Sequence, residues 1–255
     1  MIWNFFDSIR CITLISRKDR YLSSRSVFNK HNIPVKYYKT TKHPNGGIQG
    51  CFESHINVIS EAYDSGAERL LIFEDDIIDT KFLTDKTMKR VIRFLKKADW
   101  DIFFLGPQPV IQKWAMRKTK FKSIYQMHSI CGHAYILNRP YMKKIRNMSY
   151  IDVPIDCLYK YNEKSYGHVP SLFRQRASES NISGHMFNRF SLSKMGYIKF
   201  FEYYSLYINL PLPLFVSILA IVIFFTFRYT NNILLACILG IMFILCLLLL
   251  SVSYV

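Results

Sequence analysis

The sequence predicts an α/β domain over residues 1–200, followed by a two-helix hydrophobic hairpin over residues 201–255. Three observations lead there. Short apolar runs of strand length alternate with helix-like segments through the first part of the chain, which predicts a sheet flanked by helices and mostly parallel. Turn residues close those runs, at His43 to Gly47, at Gly66 and at Gly106-Pro107. From Tyr203 to Val255 the only charged side chain is Arg228.

The elements follow in order. Residues 10–15 read as a buried first strand, and the basic loop 16–20 follows it. Residues 21–31 read as a helix with Leu22, Val27 and Phe28 loosely on one face, and 35–39 as a second strand. A helix is expected over 51–65. A short apolar strand over 69–73 then runs into Glu74-Asp75-Asp76. Residues 86–97 are helical by pattern and 101–105 form another strand. Residues 131–137 are a late strand ahead of a helix over 140–148.

The tail carries the clearest physical signal. Residues 233–250 are uninterrupted and uncharged, and 206–227 form a second such segment whose start Pro211 and Pro213 delay. A helix needs about 20 apolar residues to cross the hydrocarbon core. Neither segment offers a polar face, so a pair of buried core helices is the weaker reading. The polar link at 228–232 is short, so the helices run antiparallel. Arg189, Lys194 and Lys199 precede the hairpin and outnumber Arg228, which places the large domain on the cytoplasmic face. The N-terminus lacks the long apolar stretch and small-residue cleavage site of a signal peptide. The sequons at Asn147 and Asn181 are then expected to stay bare.

Lys and Arg number 34 against 18 Asp and Glu, a formal charge of +16. Nucleic acid, an anionic membrane and a phosphate-bearing substrate all suit such a charge. The apolar tail favours membrane lipid and phosphate, and no nucleic-acid partner is expected. The cysteines at 11, 51, 131, 157, 237 and 246 contain no CxxC pair, and two of them fall in the tail. They read as reduced thiols, not as a zinc motif or a disulfide framework.

Glu74-Asp75-Asp76 follows an apolar strand. Carboxylates crowded at a strand end suit a divalent cation that clamps a diphosphate, and ligands of open α/β sheets bind beyond the carboxyl ends of strands. A solvated acidic turn fits the triplet equally well. Arg17 and Arg20 in the basic loop suit phosphate, as does the helix N-terminus that the loop opens. An ordinary solvated loop is the alternative. Ser54 and His55 stand together on the expected helix, in position for a nucleotide or sugar hydroxyl. No Asp completes a hydrolase triad with them.

Several motifs stand in a fixed order. They are Ile12 to Arg17 with Asp19-Arg20, Gly50-Cys51 with Ser54-His55, Leu71 to Asp76, Gly132 to Ile136, Val153 to Asp156, and a closing stretch with Pro170, Gln175, Ser180 and Ile182. Together they resemble glycosyltransferase family 25, the group that includes lipooligosaccharide and collagen galactosyltransferases. The resemblance covers about the first 185 residues. It implies a GT-A-like nucleotide-sugar-binding domain. The implied donor is a UDP-sugar such as UDP-galactose or UDP-glucose, and the acceptor is a hydroxyl of a glycan, glycolipid or glycoprotein. Mn²⁺ or Mg²⁺ is the implied cation. Leu14, Ser16, Arg17, Arg20, Ser54 and His55 would meet the nucleotide sugar, and Glu74, Asp75 and Asp76 the metal. Asp156 would take the acceptor proton, with Asp152, one turn earlier if that segment is helical, in reserve. His168 and His185 are weaker metal candidates, each better read as structural. The chain departs from the family in lacking a long insertion before Gly50 and in carrying the hairpin. Two other readings use the same residues: a metal-dependent phosphoryl-transfer enzyme, and a catalytically inactive basic membrane scaffold.

Overall fold

A computed structural model of the chain describes residues 2–109, 116–130, 133–159 and 162–176. After a 3-10 turn at Ile2–Phe5, the chain runs β1 (Ser8–Leu14), α1 (Lys18–Lys30), β2 (Lys36–Thr40), α2 (Gly47–Asp64), β3 (Arg69–Glu74), β4 (Ile77–Asp79) and α3 (Asp85–Leu95). Next come β5 (Ile102–Phe104), β6 (Gln108–Pro109), β7 (Arg117–Lys118), β8 (Ile124–Gln126), β9 (Ser129–Ile130) and β10 (Ala134–Asn138). The last elements are α4 (Arg139–Ile145), α5 (Asp156–Tyr159), β11 (Ser165–His168) and β12 (Phe173–Gln175).

Eight strands form the central sheet in the order β2-β1-β3-β10-β5-β11-β8-β7. Alternation along the strands sends successive side chains to opposite faces, and two cores result. Leu71 and Phe73 of β3 join Phe28, Met88, Val91 and Phe94 on the α1–α3 face. Leu70 and Ile72 join Phe52, Ile56, Ile59, Tyr141 and Met142 on the α2–α4 face. Phe73, Phe103 and Phe104 are fully buried, each contributing roughly 2 kcal/mol by removal of apolar surface from water.

Local chemistry explains the helix ends. Thr84 caps α3 by accepting the Thr87 N–H at 3.2 Å, and Asn138 caps α4 by accepting the Tyr141 N–H at 2.8 Å. In α3, Met88, Val91, Phe94 and Leu95 recur at helical spacing and are all buried. Helix α1 behaves differently. Its buried residues are Arg20, Ser24 and Phe28, while Leu22 is 61% exposed. The apolar face expected there does not exist, because the buried stripe is mostly polar.

The strands and helices expected from the sequence appear with shifts of a few residues, and α2 begins earlier, at Gly47. The sheet is mixed, not mostly parallel. β1 is parallel to β2 and β3, but β10 runs antiparallel to both β3 and β5. The backbone gives the reason. Glu74 N–H meets His133 O and Leu105 N–H meets Ala134 O, so β10 starts at the edge where β3 and β5 end. Among the described residues no crossover helix lies between β5 and β10, and without one a neighbouring strand runs back. Strands β8 and β11 carry little apolar alternation and had no sequence counterpart. Among the described residues no helix is long and apolar enough to cross a membrane. The hairpin expected over 201–255 lies outside the described residues.

Candidate active site

Strand alternation divides the acidic triplet. Glu74 continues the Leu70–Ile72 side of β3 and faces α2, and its carboxylate Oε1 lies 3.4 Å from His55 Nε2. Asp75 faces the α1 side. Its Oδ2 accepts the Thr13 hydroxyl at 2.6 Å, and its Oδ1 lies 3.4 Å from Arg20 Nη1. Asp76 is the second residue of the two-residue turn into β4. Its Oδ2 lies 3.1 Å from Arg20 Nη1 and accepts the Gln175 amide N–H at 3.0 Å. The Asp76 carbonyl accepts the Arg176 N–H at 2.6 Å. Asp76 Oδ1 is buried and has no hydrogen-bond partner.

One guanidinium thus sits against two buried carboxylates with a third nearby. Burial, and then the charge of Glu74, pushes the Asp76 carboxyl up to about 7. Burial also raises Asp75, against the opposing pull of Thr13 and Arg20. The local environment is short of positive charge.

On the other face, Cys51 and His55 stand one turn apart on α2. His55 Nδ1 lies 2.6 Å from the Tyr135 hydroxyl, which lies 2.9 Å from the Tyr159 hydroxyl. Asp156 heads α5. Burial raises the Cys51 thiol, and the charges of Glu74, Asp156 and Asp76 raise it further. Asp156 also raises Tyr135 and Tyr159, after burial as the main cause. The charges of Asp156 and Glu74 thus act on the same two groups, Cys51 and Tyr135.

The triplet lies at the carboxyl ends of β1 and β3, and its partners come from β1, α1, α2 and β12. The sequence matches glycosyltransferase family 25, described as LPS biosynthesis proteins, over residues 3–159, more than half of its 255 residues. The chain belongs to glycosyltransferase family 25. Among solved structures it is similar to the A197 protein from STIV (TM-score 0.42, 12% identity, 70% of this chain and 99% of that one). It is also similar to a glycosyltransferase involved in glycosylation of the PBCV-1 major capsid (TM-score 0.42, 12% identity, 68% and 95%). A further likeness is to a Drosophila galactosyltransferase 7 mutant complexed with manganese, UDP-Gal and xylobiose (TM-score 0.37, 8% identity, 72% and 79%). At such scores none of these likenesses bears on the chemistry.

In this glycosyltransferase the expected site residues divide into two groups. Arg17 stands at the N-terminus of α1, where Asp19 holds it through two hydrogen bonds of 2.9 and 2.8 Å. The charges of Asp75 and Asp76 also act on it. Ser16 is exposed and Leu14 half-buried at the end of β1. Arg20 is buried on the acids instead of standing open in the loop. Ser54 is turned back onto the Gly50 carbonyl at 2.6 Å, and His55 is fully buried behind Glu74. Asp152 is not one helical turn before Asp156. It is exposed, has a φ of 58° and accepts the Tyr150 hydroxyl at 3.0 Å, while α5 starts only at Asp156. His168 closes β11 with Nδ1 2.8 Å from the Pro170 carbonyl, a structural placement. His185, Ser180 and Ile182 lie outside the described residues.

Sequence reading missed Thr13 and Tyr135. It placed Gln175 only by family resemblance, with no role attached. Alternation on β1 does put Thr13 on the α1 face, but no pattern in the chain pairs Gln175 with Asp76 across 99 positions. A divalent cation fits this set best at Asp76. Its Oδ1 is an orphaned buried oxygen in a carboxylate-rich pocket, the donor type that hard cations take. Asp75 fits less well, because both of its oxygens are engaged.

Proposed function

We propose that the chain moves a hexose, galactose or glucose, from a UDP-sugar to a hydroxyl of a glycan, glycolipid or glycoprotein. The catalytic domain spans residues 1–200, and a membrane hairpin over 201–255 anchors it. The observation that carries the reading is the buried, unpartnered Asp76 Oδ1 beside Asp75 and Arg20, with the charge of Glu74 acting on it.

Asp76 would hold Mn²⁺ or Mg²⁺, with Glu74 and Asp75 adding negative charge beside it. When bound, the cation neutralises charge that builds on the departing diphosphate. Arg20 fixes the two acids, so that Asp76 keeps its orientation. Arg17 and the exposed Ser16 border the cleft where the nucleotide would lie. Asp156 accepts the acceptor proton as the hydroxyl attacks the anomeric carbon. Gln175 and Thr13 hold the carboxylates in place from either side.

The test is transfer and acceptor-free hydrolysis across a panel of UDP-sugars, with and without Mn²⁺. Wild-type protein should turn over at least one of them. Asp156→Asn should lose turnover and keep donor affinity, because a base acts on the acceptor. Failure of every UDP-sugar, or a collapse of donor affinity in Asp156→Asn, rejects the respective assignment.

The hairpin reading rests on hydropathy. In lipid, backbone polar groups must be satisfied within the segment, which helices do. The basic residues before Leu206 keep the catalytic domain cytoplasmic, where nucleotide sugars are made. A reporter fused after Val255 should score cytoplasmic, and a glycosylation tag after Thr230 should score on the opposite face. A C-terminus on the far side would leave a single span.

A further inference from the structure

We propose that Cys51, His55 and Glu74 form a three-ligand site for a thiophilic divalent cation of the Zn²⁺ class, separate from the Asp75–Asp76 pair. Sγ of Cys51, a ring nitrogen of His55 and a carboxylate oxygen of Glu74 all lie within 4.8 Å of one another. A tetrahedral ion at roughly 2.0–2.3 Å from each ligand holds its ligand atoms about 3.5 Å apart. His55 Nε2 and Glu74 Oε1 already stand 3.4 Å apart.

The second observation is the state of His55. The side chain is fully buried, yet its Nε2 makes no hydrogen bond, the Glu74 oxygen being off the line of one. A buried nitrogen of this kind needs an explanation. Its other nitrogen supplies one. Nδ1 is bonded to the Tyr135 hydroxyl, which is backed by Tyr159. With Nδ1–H donating to Tyr135, Nε2 keeps a lone pair available for a metal ion. Metal-binding histidines are held in this way, the distal N–H anchored to an outer oxygen so that the ligating nitrogen is fixed.

The local fold supports the arrangement. Positions 51 and 55 lie on one face of α2, since residues four apart are neighbours on a helix. Glu74 reaches them because alternation turns it away from Asp75. Cys51 and Glu74 are only partly buried. Thiolate and carboxylate together balance the cation charge. Burial and the neighbouring acids keep the Cys51 thiol protonated, and binding exchanges that proton for the metal–sulfur bond.

Cobalt titration of the purified full-length protein tests it. Wild type should bind Co²⁺ with a thiolate-to-cobalt charge-transfer band in the near ultraviolet. Cys51→Ser should lose the band, and His55→Gln should lose at least tenfold in affinity. Tyr135→Phe should weaken binding about 10-fold or more by freeing the ring. Asp76→Asn should keep the band. X-ray absorption of the Zn²⁺ form should show one sulfur at about 2.3 Å. Thermal melts of each variant separate lost ligands from lost fold. If His55→Gln fails to fold, Cys51→Ser, on the partly open helix surface, decides. An absent band in wild type, a band unchanged in Cys51→Ser, or metal binding lost only with Asp76 overturns the proposal.

Discussion

Arg20 and Asp76 form a buried ion pair, Nη1 to Oδ2 at 3.1 Å, that joins the first helix to the turn after β3. The same guanidinium reaches Asp75 at 3.4 Å. Removing one partner of a buried pair leaves the other charge without compensation and costs roughly 3–5 kcal/mol. Arg20→Met should therefore lower the unfolding free energy by about that much and abolish transfer. Arg20→Lys keeps a point charge without the fork and should fall between. Denaturant titration of the three proteins gives the order.

Asp76→Asn removes the carboxylate proposed to hold the cation but keeps an oxygen for Gln175. We expect transfer to drop by about two orders of magnitude or more, with a smaller loss of stability than in Arg20→Met, because Asp75 still faces the guanidinium at 3.4 Å. Turnover assayed beside calorimetry separates the two effects. An active variant would assign the cation to other groups.

Gly106 lies where a side chain cannot. A Cβ there would stand 2.1 Å from His133 Nε2 and 2.4 Å from the Phe173 carbonyl. The backbone of β12 would have to move, and β12 carries Gln175 to Asp76. Gly106→Ala should destabilise the protein by about 1–3 kcal/mol, the range for overpacking, and should weaken catalysis as well. Paired stability and activity measurements would show whether both fall.

His168 gives the fold a pH dependence. Burial, then the charge of Arg90, pulls its imidazole from the ordinary 6.5 down to about 4. Between those values the unfolded chain binds a proton that the native state refuses. Stability from this group is full above 6.5 and is lost as pH falls toward 4, a loss on the order of 3 kcal/mol. His168→Gln should flatten the stability profile over that window. Equal pH slopes in the two proteins would remove His168 from this role.

Much of this was legible in the chain, for reasons that differ from element to element. The runs that became β1, β3, β5 and β10 are apolar over strand length, and such residues must leave water whatever surrounds them. The acidic end of β3 followed from a carboxylate triplet behind such a run. The order of the motifs from Ile12 to Asp156 identified the family before any geometry was known.

Other features depend on distance in space. Glu74 ends β3 and Asp75 opens the turn after it, so one carboxylate meets His55 and the other Arg20, and a triplet that reads as one site serves two faces. The buried stripe of α1 is Arg20, Ser24 and Phe28. Hydrophobic periodicity cannot find it, because two of its three members are polar and are buried only for the acids and Tyr37 that they meet. The reversal of β10 comes from the edge at which the chain re-enters the sheet, and it brings Tyr135 under His55. Local sequence determined which segments left water. Only the packed sheet decided which polar groups were left facing one another, because a buried charge or lone pair is positioned by partners distant in the chain.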